Sequence, residues 1–220
     1  MPVCRIDHIT VTAPSLEAGS DLVHACLGLR PQAGGMHPRM GTHNLLLRLG
    51  DAMFLEVIAV DPQAAAPARP RWFELDRMAS DDLPRLACWV ARTDKLQTAL
   101  DASHEALGLV EPMTRGALSW LISIPPDGSL PLSGAAPVLI EWQTSAHPAA
   151  SLPAVGCRLT ALELFHPEPA RLEALLDRLE VREPGVALSV HGADTAAIVA
   201  HIDTPNGARS IGGRAPLPAR

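Results

Sequence analysis

The chain carries no GxxxxGK[ST] phosphate loop, no GxSxG elbow, no GxGxxG turn after a strand and no HExxH helix, so nucleotide-binding and zinc-peptidase readings fall away. No apolar run approaches membrane-spanning length. The opening residues MPVCRIDHITV lack a charged, then apolar, then small-residue leader pattern, and the expectation is a cytoplasmic protein with no membrane partner. There is no basic stripe. A formal net charge of −6 with scattered cations argues against a nucleic-acid partner. The four cysteines (Cys4, Cys26, Cys88 and Cys157) form no CxxC pair, which suits reduced, buried thiols rather than a zinc knuckle or a disulfide framework.

What is present is enough for a sizeable core: 220 residues, 47% hydrophobic and 19% charged. Arg5–Thr12 alternates like a half-buried strand, and Ser15–Cys26 follows with apolar residues at helical spacing, Ser15 as N-cap and Gly28 as stop. His43–Leu49 and Ala52–Val60 are strand-like runs around Gly50-Asp51, which predicts a tight hairpin. A Pro- and Ala-rich linker over 62–84 precedes a second pass through the same order. That pass has a strand at Leu86–Ala91, a helix from Asp94 to about Ala106, and strands at Leu109–Thr114, Ala117–Ile124 and Pro137–Thr144. A shorter third copy has Arg158–Phe165 and Pro167–Glu180 as strand and helix, then strands Val186–Val190 and Ala196–Asp203. The predicted class is α+β: repeated βαβββ units at 3–61 and 85–144 forming a cupped mixed β-sheet with helices outside, plus a partial βαββ unit at 157–212.

In order and spacing, IDHITVTAPSLEAG, AMFLEVIAVD, RPRWFELD, LACWVARTDKL, PVLIEWQTSAHPA and AHIDTPNGA resemble the vicinal oxygen chelate superfamily, in its glyoxalase-like branch, over nearly the whole chain. The resemblance implies a small-molecule pocket, with metal ligands on the first and last strand of each of two units. Carried over residue by residue, it gives His8, Glu56 and Glu141 as ligands, with Glu56 and Glu141 also as catalytic base. Ala87, or Cys88 one register on, stands where a fourth ligand belongs, so a divalent ion (Mn, Fe or Zn) is expected to be weakly held.

Strand alternation puts Phe54, Glu56 and Ile58 on one face. With Gly50-Asp51 as the turn, Leu45 is expected opposite Glu56 and His43 opposite Ile58, which makes His43 a spare ligand or base. Leu45, Phe54 and Trp89 are expected to line the pocket. Trp120 and Trp142 are read as packing residues, and Arg48, Arg71 and Arg115 as solvated or salt-bridged. Two functions remain: a metal-dependent lyase, isomerase or dioxygenase acting on two neighbouring oxygens, or a binding protein that sequesters an apolar compound. The partner in either case is a small molecule, and the chain is expected to be a monomer or weak homodimer.

Overall fold

The computed structural model describes residues 3–213. The first unit runs β1 (Arg5–Thr12), α1 (Leu16–Leu27), β2 (Gln32–His37), β3 (Thr42–Gly50) and β4 (Met53–Val60). The second repeats it with β5 (Arg85–Arg92), α2 (Leu96–Ser103), β6 (Leu109–Arg115), β7 (Leu118–Ile124) and β8 (Val138–Trp142). After the short α3 (Pro148–Ser151) come β9 (Arg158–His166), α4 (Pro169–Arg178), β10 (Ala187–Gly192), β11 (Ala197–Thr204) and β12 (Gly207–Gly212). Local chemistry sets several of these bounds. The Ser15 hydroxyl accepts from the Ala18 amide to start α1, and Gly28, left-handed at φ 74°, ends it.

The first ten strands-and-helices fold into one eight-stranded sheet ordered β2-β3-β4-β1-β5-β8-β7-β6. β1 and β5 run antiparallel at its centre, and each has the last strand of its own unit as a parallel neighbour. The sheet curls until its edges meet. Arg39, just past β2, donates to the Pro112 carbonyl at 2.6 Å and pairs with Glu111 on β6, whose other oxygen takes Arg69 at 2.7 Å. This is the cupped α+β architecture expected from the repeats.

The convex face buries Ile9, Val57 and Trp89 against Val23 and Leu27 of α1, and against the third unit through Leu172, Leu175, Ala200 and Ile202. The third unit forms a separate four-stranded sheet, β10-β9-β11-β12. It differs from the first two in pairing: the strand after its helix, β10, lies parallel beside β9, and a further strand, β12, closes a hairpin with β11. The concave face buries a second apolar cluster that includes Ile58, Val90, Trp120, Ile122 and Ile140. Residues 72–77 of the linker form a 3-10 turn that puts Trp72 and Phe73 on that cluster, with Phe73 and Glu74 both at φ 59°. Two successive left-handed non-glycine residues are a strained arrangement, held only because the surrounding packing fixes it.

Candidate functional site

A β-bulge starts the site. Ile6 pairs with Ala91 and His8 with Val90, so Asp7 is the extra residue of β1. Bulges re-aim side chains. Here the fully buried Asp7 carboxylate lies beside the His8 ring, Oδ1 to Nδ1 at 2.6 Å. Its other oxygen accepts from the Trp142 indole at 2.9 Å and from His147 Nε2 at 3.0 Å. The Ala149 amide donates to His147 Nδ1 at 3.2 Å, so the His147 proton sits on Nε2 and points at Asp7. Burial alone would raise the Asp7 pKa; hydrogen bonds from His147 and His8 outweigh it and hold the carboxyl well below the usual carboxylate range.

His8 therefore has Nδ1 engaged behind it and Nε2 facing the cavity. Phe54 stacks on its ring, centroids 4.4 Å apart, and Glu56 Oε2 lies 3.8 Å from Nε2. Glu56 is itself fixed. Asn44 donates to Oε1 at 2.6 Å and the Thr10 hydroxyl to Oε2 at 3.4 Å. The Asn44 carbonyl oxygen accepts from the Gly35 amide at 2.8 Å and from Arg115 at 3.2 Å, which sets the amide's orientation. Arg115 also reaches His37 Nε2 at 3.4 Å, leaving Nδ1 to face the Thr42 hydroxyl at 3.1 Å. Burial, then the positive charge of Arg115, pushes the His37 pKa down to about 3, so this imidazole is neutral. Burial also lowers the Arg115 pKa, against the pull of Glu56. Trp72, Phe73, Trp120, Trp142, Ile122 and Ile140 complete the wall. The space left inside is about 30 Å³, enough for a few waters at most.

Of the residues expected here, His8, Glu56 and Phe54 meet. Glu141 does not: its Oε2 accepts from the Leu96 amide at 2.8 Å on the helix side of the sheet. The reason is local. Lys95, at the N-cap of α2, has no side-chain acceptor, and Glu141 caps the helix from β8 in its place. His43 is also on the other face. A bulge between Arg48 and Gly50 shifts the hairpin by one, pairing Leu46 with Glu56 and Asn44 with Ile58, and a one-residue shift exchanges the two faces of a strand. Leu45 and Trp89 turn to the convex core, Trp89 donating to the Ala135 carbonyl at 2.9 Å. Arg115, read from sequence as solvated, lines the cavity, as do Trp120 and Trp142.

The pairing also corrects which residues match between units. β1 and β5 are both eight residues long, and their helices begin at Leu16 and Leu96, so His8 and Cys88 are each the fourth residue of their strand. Ala87 matches Asp7: both are bulge residues, Thr10 facing Cys88 and Val11 facing Leu86. Glu56 pairs with Thr10, and Val138 with Val90, which puts Val138 at the step of Glu56.

These residues do not fit the metal site that the resemblance implies. The first unit offers two donors, His8 and Glu56, and the second offers a thiol and an isopropyl group. Burial, then the charge of Glu56, pushes the Cys88 thiol above its ordinary pKa, which disfavours the thiolate a metal would take. Arg115 adds a fixed cation to the same cavity. Among the described residues no three His, Cys, Asp or Glu side chains are grouped to hold an ion.

The residues missed from sequence, Asp7, His37, Asn44, Arg115 and Trp72, share one trait: each reaches the site through a bulge, a sheet edge or the linker. The Asp7-His8 dipeptide and the Gly34-Gly35 pair were the available signals.

Among the described residues no helix is long and apolar enough to cross a membrane. No curated protein matches the sequence. A hypothetical protein from Staphylococcus aureus is similar in structure, with a TM-score of 0.59, 12% identity, and 88% of each chain covered. A mutant 4-hydroxymandelate synthase from Streptomyces coelicolor follows at TM-score 0.52 and 13% identity, covering 96% of this chain and 63% of that one. A methylmalonyl-CoA epimerase variant from the same organism has TM-score 0.42 and 16% identity, covering 64% of this chain and 98% of that one, a likeness too slight to argue from. At such identities these structures speak for the fold alone. The family model of the glyoxalase-like domain matches residues 6–180, which span the curled sheet and its helices and run on through β9 and α4, and the chain belongs to that family.

Proposed function

We propose that this protein binds a small molecule with a carbonyl next to a carboxylate and moves a proton on it, using Glu56 and His8 as bases and Arg115 as the fixed positive charge. One observation carries the reading: the His8 imidazole, oriented by Asp7, and the Glu56 carboxylate, oriented by Asn44, face one cavity together with the Arg115 guanidinium. Taking a proton from the carbon beside a carbonyl leaves the bonding pair on the carbonyl oxygen as an enolate. A cation in a cavity walled by tryptophans stabilises that oxygen more than the same cation in water. Return of the proton to another atom or face completes an isomerisation with no net change in composition. Substrate and reaction direction follow from the ligand, and the cup specifies only the head group.

The test is deuterium wash-in from D₂O at the methyl carbon of pyruvate, followed by proton NMR. Glu56→Gln is expected to slow enzyme-dependent exchange by about 10²- to 10⁴-fold, the usual weight of a positioned base. Exchange unchanged by Glu56→Gln removes Glu56 as the base. Binding without exchange supports the second reading, a sequestering protein, which draws on the aromatic wall of Trp72, Phe73, Trp120 and Trp142. Divalent metal chemistry draws less support, from the family alone. Titration calorimetry with Mn²⁺ and Zn²⁺ is expected to show no stoichiometric site.

A further inference from the structure

Trp72 lies in the cavity wall with a polar atom that has nothing to bond. The residue is 3% exposed, and its Nε1 is sealed from solvent without a hydrogen-bond partner among the described residues. Buried donors are ordinarily met. Trp89 donates to the Ala135 carbonyl and Trp142 to Asp7, each at 2.9 Å, so other indoles of this protein follow that rule. The carboxylate and amide acceptors of the cavity are already engaged: the Glu56 oxygens hold Asn44 and Thr10, and the Asn44 carbonyl oxygen holds Gly35 and Arg115. An unmet donor weakens the fold, and on the wall of a ligand cavity it marks where an incoming acceptor belongs.

The segment that carries this indole is tied down at several points. Phe73 and Glu74, the next two residues, are the left-handed pair at φ 59°, and backbone strain of that kind collects where a side chain is held for a task. The Glu74 amide donates to the Gly128 carbonyl at 2.9 Å, Arg71 Nε to the Gly41 carbonyl at 3.3 Å, and Asp76 accepts from both the Arg71 amide and its guanidinium. Gly128, itself at φ 71°, comes so close that a Cβ there would stand 2.0 Å from the Arg71 carbonyl oxygen. The ring is fixed too. It stacks on Phe73, centroids 5.4 Å apart, and meets His37 edge-on at 5.2 Å. His37 carries Arg115 on its Nε2 at 3.4 Å, so the indole and the guanidinium both adjoin one imidazole. A space of about 30 Å³ brings an entering group against both.

We infer that Trp72 is a further catalytic residue, whose indole N–H donates, beside Arg115, to the substrate oxygen on which negative charge develops. This rests on the proton-transfer reading and adds a residue to it. As Glu56 takes the proton, the C–H bonding pair moves into the carbon–carbon bond and the carbonyl pair moves onto oxygen, with no electron gained or lost overall. A neutral N–H fixed before the reaction favours that oxygen as its charge grows, and does little for the uncharged carbonyl of the ground state.

The experiment follows the indole N–H resonances of the four tryptophans by NMR while the intact, isotope-labelled protein is titrated with oxalate, a planar dianion that stands in for the enolate of pyruvate. Trp72→Phe assigns the Trp72 signal by its loss. That signal is expected to move downfield, as an N–H does on gaining an acceptor, while that of Trp89, already bonded to Ala135, stays near its place. Trp72→Phe keeps a ring against Phe73 and His37 and removes the donor. Deuterium wash-in at the methyl carbon of pyruvate is expected to fall about 10²- to 10³-fold, the usual weight of one such donor, with the KM for pyruvate nearly unchanged because the charge is absent from the ground state. A Trp72 resonance that oxalate leaves unmoved overturns the assignment, and so does full wash-in in Trp72→Phe; Glu56→Gln then still tests the proton-transfer reading by itself. The titration uses the unaltered chain, so it decides the matter if Trp72→Phe folds poorly. A parent protein that exchanges no faster than buffer overturns both.

Discussion

In the first half of the cup, Asp7 with His8 and Thr10 with Asn44 and Glu56 form two hydrogen-bonded groups that meet where Glu56 lies 3.8 Å from the His8 ring. At matching steps of the second half stand Ala87, Cys88, Val90 and Val138, backed by Trp120, Ile122 and Ile140. The two halves have first strands of equal length, a bulge at the same step of each and the same parallel pairing, yet one is polar and the other apolar. The backbone repeat brings the halves face to face, and the side chains divide the labour. A buried polar group pays for itself only when each member is satisfied, and a dry wall opposite makes its charges stronger. Duplicating the polar set would crowd like charges into about 30 Å³.

The sharpest way to break this asymmetry is to copy the first half's side chains onto the second. Cys88→His with Val138→Glu puts an imidazole and a carboxylate at the steps of His8 and Glu56. Calorimetry should then show stoichiometric Zn²⁺ or Mn²⁺ binding where the parent shows none; continued absence would mean the halves do not converge closely enough. Removing the bulge carboxylate is next. Asp7→Ala strips a common acceptor from His8, His147 and Trp142, and urea unfolding should show a loss of about 3–5 kcal/mol, the range for breaking a buried charged group's partnership. A loss below about 1 kcal/mol would show the group is hydrated rather than buried.

A pH series perturbs the polar half alone, and less violently. His37 takes up its proton at about 3 when folded and near 6.5 when unfolded. Between those values the unfolded chain binds more protons, so stability is full above pH 6.5 and falls as pH drops, by at most about 1.4 kcal/mol per unit for one proton. Asp7, held low, adds its own loss only below its unfolded value of about 3.9. His37→Gln should flatten the slope between pH 6 and 4 and leave the Asp7 part of the loss below pH 4. The smallest effect belongs to Glu141→Ala, which removes a helix cap worth about 1 kcal/mol and should leave deuterium wash-in unchanged. A collapse of exchange in that variant would return Glu141 to the site.

Most of the fold was legible because it rests on periodicity: alternation in Arg5–Thr12, the apolar stripe of Ser15–Cys26, and the recurrence of both eighty residues on. The placement of His8 and Glu56 on the cavity face was legible for the same reason, as inward residues of strands whose faces could be read. Where regularity breaks, the reading shifts. Bulges at Asp7, Ala87 and after Arg48 each move a register by one, which hid Asp7, aligned Ala87 with the wrong partner and exchanged His43 for Asn44. Glu141 was misplaced because no pattern in β8 announces that α2 lacks a cap of its own. Arg115 and Trp72 come from a hairpin end and a linker, whose paths sequence spacing does not fix.

The clasp at Glu111 has a meaning for how the protein behaves in a crowded solution. An eight-stranded sheet has two edges, and an open edge is a template on which other chains can add strands. By drawing Arg39 from the β2 side and Arg69 from the linker onto one carboxylate of β6, the curl turns those two edges toward each other. Among the described residues the edges without a neighbouring strand are then β10 and β12 of the small third sheet. Aggregation, where it begins, should begin there, and Glu111→Ala should add a second starting point at the reopened seam.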